Sequence, residues 1–267
     1  KEMNYYLSMV AKSGQVNTPP GSYKTVKEWI INSFLNQNSS VLEIGCSTGF
    51  ITIEIARYVQ ATCCGLDLHE KSIETARKNV DQYITRNTSF VCGDAGKLQF
   101  LDHNFSHVVI GGHLPFIPAE MRSAHITEAV RVTKPWGYLL TALYFYKSPP
   151  SETLVEEFNR KIGTKLEVDH DYIYWSKLFE GQKLILEYES INEVILADSA
   201  RIQTYLEYLD DSSRRKWEST LRLFNENGKY LNYFVRVYRR LPEGEKLMIQ
   251  IQRGGLYQVR QVSSDQS

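Results

Sequence analysis

The stretch Val41-Leu-Glu-Ile-Gly45-Cys-Ser-Thr-Gly49-Phe50 decides the fold. Val41–Ile44 reads as a short buried strand. The periodic run Phe50–Val59, with Ile51, Ile55 and Val59 on one face, reads as a helix. Between them, glycine lets the backbone turn sharply and approach a ligand with no Cβ in the way. The helix then offers free N–H groups and the positive end of its dipole. Several nucleotide binders share such a turn, so the details matter. A dinucleotide fingerprint needs G-x-G-x-x-G, whereas Ser47 takes the place of a middle glycine here. A phosphate loop needs Gly-Lys-Ser/Thr, which is absent. Glu43, two residues before Gly45, would repel a pyrophosphate and suits a cationic amine.

Working outward, strands and helices alternate. Strands are predicted over Thr62–Leu68, Thr88–Cys92, His107–Ile110 and Tyr138–Tyr146, and helices over Lys71–Tyr83 and Met121–Val132. An amphipathic helix, Tyr23–Leu35, precedes the deciding stretch and follows the breaker run Asn17-Thr-Pro-Pro-Gly21. This rhythm predicts an α/β, doubly wound, Rossmann-like and mostly parallel sheet with helices on both faces and right-handed crossovers. After Tyr146 it breaks at Ser148-Pro-Pro150. Helices are expected over Glu152–Ile162, over Tyr172–Phe179 and twice within Ser199–Asn227. Strands are expected at Leu184–Ile191, Leu231–Tyr238 and Leu247–Ile251.

Two further acids close successive strands. Asp67, in Gly65-Leu-Asp67-Leu68, stands where a carboxylate accepts bonds from ribose hydroxyls. Asp94, in Cys92-Gly-Asp94-Ala95, stands where one can receive an adenine amino group. Each alone is weak, because Asp after a strand is often only a helix cap. Three acids in step at three strand ends are specific.

These motifs resemble those of the class I S-adenosylmethionine-dependent methyltransferases, particularly the broad group that modifies small molecules. Glu43–Gly49 resembles the family's first motif, Gly65-Leu-Asp67 its ribose acid, and Gly93-Asp94-Ala95 with Leu98 its adenine region. Phe105–Ile110 resembles the fourth strand, and Lys134-Pro-Trp-Gly137-Tyr-Leu-Leu140 the turn into the fifth. Ser47 replaces the usual glycine or alanine, and His107 the usual Asp.

The resemblance implies a cofactor, S-adenosylmethionine (product S-adenosylhomocysteine). It would be held by Glu43, Gly45, Cys46, Ser47 and Gly49 at the methionine end, Asp67 at the ribose, and Asp94 with Ala95 at the adenine. Leu68 and Leu98 would wall the adenine, and Gly111-Gly-His113 would border the transferring methyl. His113 is the candidate base, with Tyr5, Tyr6, Tyr144, His170 and Tyr172 as candidate substrate residues. The resemblance also implies an antiparallel closing strand pair, Leu184–Ile191 with Leu231–Tyr238. The chain then divides into an N-terminal arm and helix (1–37), a cofactor-binding core (38–146), a helical cap that includes one core strand, 184–191 (147–229), closing strands (230–254) and a tail (255–267).

Lys and Arg number 31, as do Asp and Glu, which gives no bulk attraction to nucleic acid or anionic membrane. No apolar run approaches the roughly 20 residues that span a bilayer. Cys46, Cys63, Cys64 and Cys92 match no zinc spacing and read as reduced core thiols of a cytoplasmic protein, with no metal expected. The expected reaction is methyl transfer to an N, O or C atom of a small-molecule acceptor. Two alternatives stand beside it, a peptide or protein side chain as acceptor and a non-catalytic cofactor-binding scaffold. RNA methylation is disfavoured, since His113-Leu-Pro-Phe116 is a poor substitute for an Asn/Asp-Pro-Pro-aromatic run. Leu247–Ile251 could pair across a homodimer.

Overall fold

A computed structural model describes residues 18–80, 85–207 and 211–243. The elements run α1 (Tyr23–Asn32), β1 (Ser40–Ile44), α2 (Phe50–Val59), β2 (Thr62–Asp67), α3 (Glu70–Asn79), β3 (Thr88–Cys92), β4 (Phe105–Val109), α4 (Ala119–Val132), β5 (Thr133–Tyr146), α5 (Glu152–Ile162), α6 (Tyr172–Lys177), β6 (Leu184–Glu193), α7 (Ser199–Glu207), α8 (Asp211–Gly228) and β7 (Leu231–Arg240). One sheet of seven strands has the order β3-β2-β1-β4-β5-β7-β6. The first five strands are parallel, and β7 pairs antiparallel with both β5 and β6.

The order reverses at β1, so the crevice beyond the carboxyl ends of β1 and β4 is the switch point where open α/β sheets take ligands. Val41, Leu42, Glu43 and Ile44 are all buried, as expected of a central parallel strand covered on both faces. On one face α1, α2 and α3 pack Val26, Trp29, Phe50, Ile55 and Ile73 against the sheet. On the other, Ile126, Ala129 and Val130 of α4 meet Leu42, Val108 and Leu139. A smaller cluster, Phe158, Ile162, Leu206, Trp217 and Leu223, joins α5, α7 and α8.

Local chemistry sets the element ends. Ser151 caps α5 by accepting a bond from the Leu154 N–H at 3.3 Å, and Gly163, left-handed at φ 87°, ends it. Asp171 caps α6 through the Tyr174 N–H at 2.8 Å.

Several expectations shift. The run Lys134–Gly137 is not a separate turn but part of β5. Phe105 pairs Thr133 and His107 pairs Tyr138, so β5 spends three extra residues in a bulge, with Trp136 left-handed at φ 61°. His107 is buried. Its Nε2 lies 3.0 Å from the Ser33 carbonyl and its ring stacks on Tyr138. Cys46 and Cys63 are buried, but Cys92, at the carboxyl end of β3, is exposed, and all four are free thiols. Tyr5, Tyr6 and the strand expected at Leu247–Ile251 lie outside the described residues. Among those described, no helix is long and apolar enough to cross a membrane.

Candidate active site

The switch-point crevice opens into a cleft of about 1160 Å³, open mouth included. One end is formed by Glu43, Gly45, Cys46, Ser47, Gly111 and Gly112, the other by side chains of residues 144–175 and 224–231. At the first end the turn after β1 is tightly self-bonded. The N–H groups of Gly45 and Cys46 both donate to the Leu66 carbonyl, at 2.7 and 2.9 Å, and that of Gly49 to the Cys46 carbonyl at 2.8 Å. Gly45 adopts φ 78°, and a Cβ there would sit 2.7 Å from that of His113, so only glycine fits. Ser47 adopts φ 48° without being glycine.

Glu43 is 4% exposed. Its Oε2 accepts both the backbone N–H of Thr52, at 2.8 Å, and the Thr52 hydroxyl. An acceptor for the N–H groups at the start of α2 is therefore supplied by the chain itself. Oε1 takes no bond from the described residues, and Glu43 faces the cleft. Burial pushes this carboxyl up to about 8, against the pull of the Thr52 bonds.

Asp67 accepts from the Ser47 N–H through Oδ2 and from the His69 N–H through Oδ1, both at 2.8 Å. Burial raises it above the ordinary carboxylate range despite those bonds. Asp94 turns back on the Gly96 N–H at 2.8 Å and is exposed. Beside it Leu68 is 65% exposed, Ala95 half-buried and Leu98 buried.

Residues 41–137 match the profile of the methyltransferase domain family. Over these residues the chain is similar to methyltransferase domains. A carboxy-S-adenosyl-L-methionine synthase of Shewanella baltica is 30% identical over 129 residues, which cover 46% of this chain and 52% of that protein. The chain thus spans about half the length of that curated relative. The crystal structure of MccD protein superposes with a TM-score of 0.73 at 23% identity, covering 84% of this chain and 99% of the other. A Haemonchus contortus N-methyltransferase, solved with phosphomonomethylethanolamine and S-adenosylhomocysteine, gives 0.70 at 13% identity, covering 88% and 57%. At these identities the structures establish the fold.

Glu43, Gly45, Cys46, Ser47 and Gly111 come together on the cleft, with Tyr144 and His170 on its walls. Asp67, Leu68, Asp94 and Ala95 do not line it; they border the strand ends beside it, toward β3. His113 does not line it either. Its Nε2 lies 3.0 Å from Nδ1 of His125 on α4, and the two rings stack. Burial, then the neighbouring His125, pushes His113 down to about 3. Tyr172 lies against the sheet, where its hydroxyl donates to Glu189 and its ring meets Phe145 and Phe234.

His170 is 2% exposed; its Nδ1 accepts the Glu167 N–H at 3.1 Å, and its Nε2 lies 3.4 Å from a guanidinium nitrogen of Arg122. Burial, then Arg122, pushes it down to about 4. Glu167 and Asp169 stand within 4.8 Å of it, both exposed. Tyr144 is 45% exposed at the cleft mouth, yet its apolar surroundings push the hydroxyl up to about 12.

Sequence reasoning missed Trp29, Tyr146, Phe158, Trp175 and Asn227 as lining residues. Aromatic density around 172–230 was the available signal, but it does not say which rings face inward.

Proposed function

We propose that the chain binds S-adenosylmethionine and transfers its methyl group to an N, O or C atom of a small-molecule acceptor. Glu43 carries this reading. A buried carboxyl with one oxygen spent on α2 and the other facing the cleft, with no cation beside it among the described lining residues, fits the amine of an amino-acid ligand. The orphaned Ser47 hydroxyl fits the same end. Asp67 and Asp94 stand in line for the ribose and the adenine. When bound, S-adenosylmethionine supplies a sulfonium-activated methyl and keeps the S–CH3 electron pair on sulfur.

The chain's own work is to align and to exclude water. Gly112, where a Cβ would meet nothing within 4 Å, leaves the floor open for close approach. The aromatic walls close the far side. The acceptor's lone pair forms the new bond, and any proton it carries departs to solvent. Neither histidine offers a free basic nitrogen to the cleft: His113 bonds His125 outside it, and Nδ1 of His170 is taken by the Glu167 N–H while Nε2 faces Arg122. We assign His113 to positioning the Gly111–His113 turn.

The Shewanella baltica relative's name points to a carboxylated cofactor. No Lys or Arg among the described lining residues would pair an added carboxylate, and this favours methyl transfer here. A small acceptor also favours action in the cytoplasm rather than at a membrane. Calorimetry with S-adenosylhomocysteine tests the proposal: micromolar binding is expected, followed by slow turnover of S-adenosylmethionine with a metabolite pool. Absence of binding overturns it.

A further inference from the structure

Three loops at the carboxyl ends of strands carry the cofactor reading: Gly45–Gly49 after β1, Gly93–Ala95 after β3 and Gly111–His113 after β4. Beyond the strand ends no ladder of backbone bonds fixes one loop against another. The third is the least anchored, because Gly111 and Gly112 have no side chains and His113 is its first residue that has one.

Two imidazoles stand behind these loops, and neither lines the cleft. His113 packs on the first loop: a Cβ on Gly45 would sit 2.7 Å from its Cβ and 3.0 Å from its Nδ1. Its Nε2 lies 3.0 Å from Nδ1 of His125 on α4, with ring centroids 5.2 Å apart and planes 27° from parallel. His125 is 4% exposed and reaches the second loop. A Cβ on Gly96 would sit 3.0 Å from its Nε2 and 3.3 Å from Oδ1 of Asp94, the same oxygen that accepts the Gly96 N–H. Contact therefore runs from Gly45 through both rings to the Asp94–Gly96 turn.

The ring chemistry adds to the packing. Burial pushes His125 down, against the pull of the Asp94 carboxylate, and it pushes His113 down as well, so both rings are neutral at neutral pH. A neutral imidazole has one N–H and one bare nitrogen, so of two that share a bond one donates and the other accepts. The tautomer of His125 thus sets that of His113, and the Asp94 carboxylate bears on His125 from the Nε2 side.

Resting on the methyltransferase reading, we propose that His125 is a positioning residue of the cofactor pocket, which through His113 ties the loop at the adenine end to the turns at the methionine and methyl end. A ligand amine on Asp94 changes the charge that Nε2 of His125 faces. The change reaches Gly45 and the Gly111–His113 turn without crossing the cleft, so filling one end of the pocket orders the other.

Adenosine is the probe, because it carries the adenine and ribose of S-adenosylhomocysteine and none of its amino acid. The full chain with nitrogen-15 histidine rings is titrated by NMR, with the His113 signals assigned by their loss in His113→Phe. Adenosine is expected to shift the His113 ring nitrogens in the parent. It should leave them unmoved in His125→Phe, which keeps a ring and removes both nitrogens, and in His125→Asn, whose amide reaches the place of Nδ1 but not of Nε2. In calorimetry His125→Phe should weaken S-adenosylhomocysteine about tenfold and adenosine no more than about threefold, and His125→Asn should restore S-adenosylhomocysteine to within about threefold of the parent. Ring nitrogens unmoved in the parent, or moved equally in the variants, overturn the proposal. So do equal losses of both ligands in His125→Phe, or no rescue by His125→Asn. If His125→Phe fails to fold, the parent and His125→Asn titrations decide. If S-adenosylhomocysteine does not bind, the methyltransferase reading falls. The link between the loops is then read without ligand: Asp94→Asn should shift the His113 nitrogens in the parent but not in His125→Asn, and a shift in both or in neither overturns it.

Discussion

At the β1 end of the cleft most polar atoms are already spent on one another, whereas the walls supplied by residues 144–175 and 224–231 are mostly apolar and aromatic. Glu43 is tied to Thr52, and Asp67 to Ser47 and His69. Trp29, Trp175 and Asn227 keep unpaired N–H groups instead. The first end is a turn from a buried strand into helix α2, closed by its own backbone bonds. The second is assembled from the end of β5, the segment 158–175 and residues of the β6–β7 excursion. Pre-bonded geometry suits a ligand that never changes; apolar walls drawn from several segments suit one that defines the particular chemistry.

Separating the two ends physically should give the largest effect. β6 and β7 pair Glu193 with Asn232, so the chain leaves and re-enters the sheet at one place. Replacing residues 195–230 with Asn-Gly closes that point as a tight hairpin. The expected variant folds and binds S-adenosylhomocysteine within about threefold of the parent, but loses acceptor turnover by two orders of magnitude or more, roughly the cost of several lost contacts. Equal loss at both ends would show that they are one structural unit. Calorimetry beside single-turnover rates makes the measurement.

Within the β1 end, Glu43→Gln and Asp67→Ala are each expected to weaken S-adenosylhomocysteine more than about tenfold. They differ in kind, and pH separates them. With its carboxyl near 8 in the free protein, Glu43 is largely protonated at pH 7 and must release a proton to hold a cationic amine. Affinity should therefore rise with pH up to about 8, with proton release at pH 7 visible as a dependence of binding heat on buffer. Glu43→Gln should abolish both, and Asp67→Ala should keep both. The folded value lies above the unfolded one, so the free chain binds more protons than the unfolded chain between them. Glu43's contribution to stability is then present below about pH 4.5 and declines as pH rises toward 8. A flat profile in Glu43→Gln relative to the parent checks that sign.

The contrast between the two ends also explains what the sequence made legible. Val41–Gly49, Asp67 and Asp94 are adjacent to strands whose apolar runs are unambiguous, so motif and topology reinforce each other over short chain distances. Strand β7 was readable from the alternation in Leu231–Tyr238, and its pairing with β6 from the family resemblance. The bulge at Lys134–Gly137 was not, because a bulge depends on register against β4, which the local sequence does not contain. His113 shows the same limit. The residue next to Gly112 was expected at the methyl, but pairing with His125, twelve residues on, turns its ring out of the cleft. Trp29, Trp175 and Asn227 belong to three helices, and only tertiary packing brings them to one cavity.

Ser47 offers the finest cut, because there the backbone and the side chain serve different ends. Its φ of 48° would favour glycine, the residue usual in the family, while its hydroxyl is 7% exposed at residue level and unpartnered. Holding a side chain in the left-handed region costs roughly 1 kcal/mol, and glycine returns part of that gain as unfolded-state entropy. Ser47→Gly should therefore stabilise the free chain by about 0.5 kcal/mol, a small upward shift of the melting midpoint. Ser47→Ala keeps the strain and should not. If the hydroxyl bonds the ligand, both variants lose the same few-fold affinity for S-adenosylhomocysteine. If only the backbone matters, Ser47→Gly binds at least as well as the parent. Opposite signs in stability with equal losses in affinity would show that this position accepts strain to place an oxygen at the rigid end, near the unspent Oε1 of Glu43.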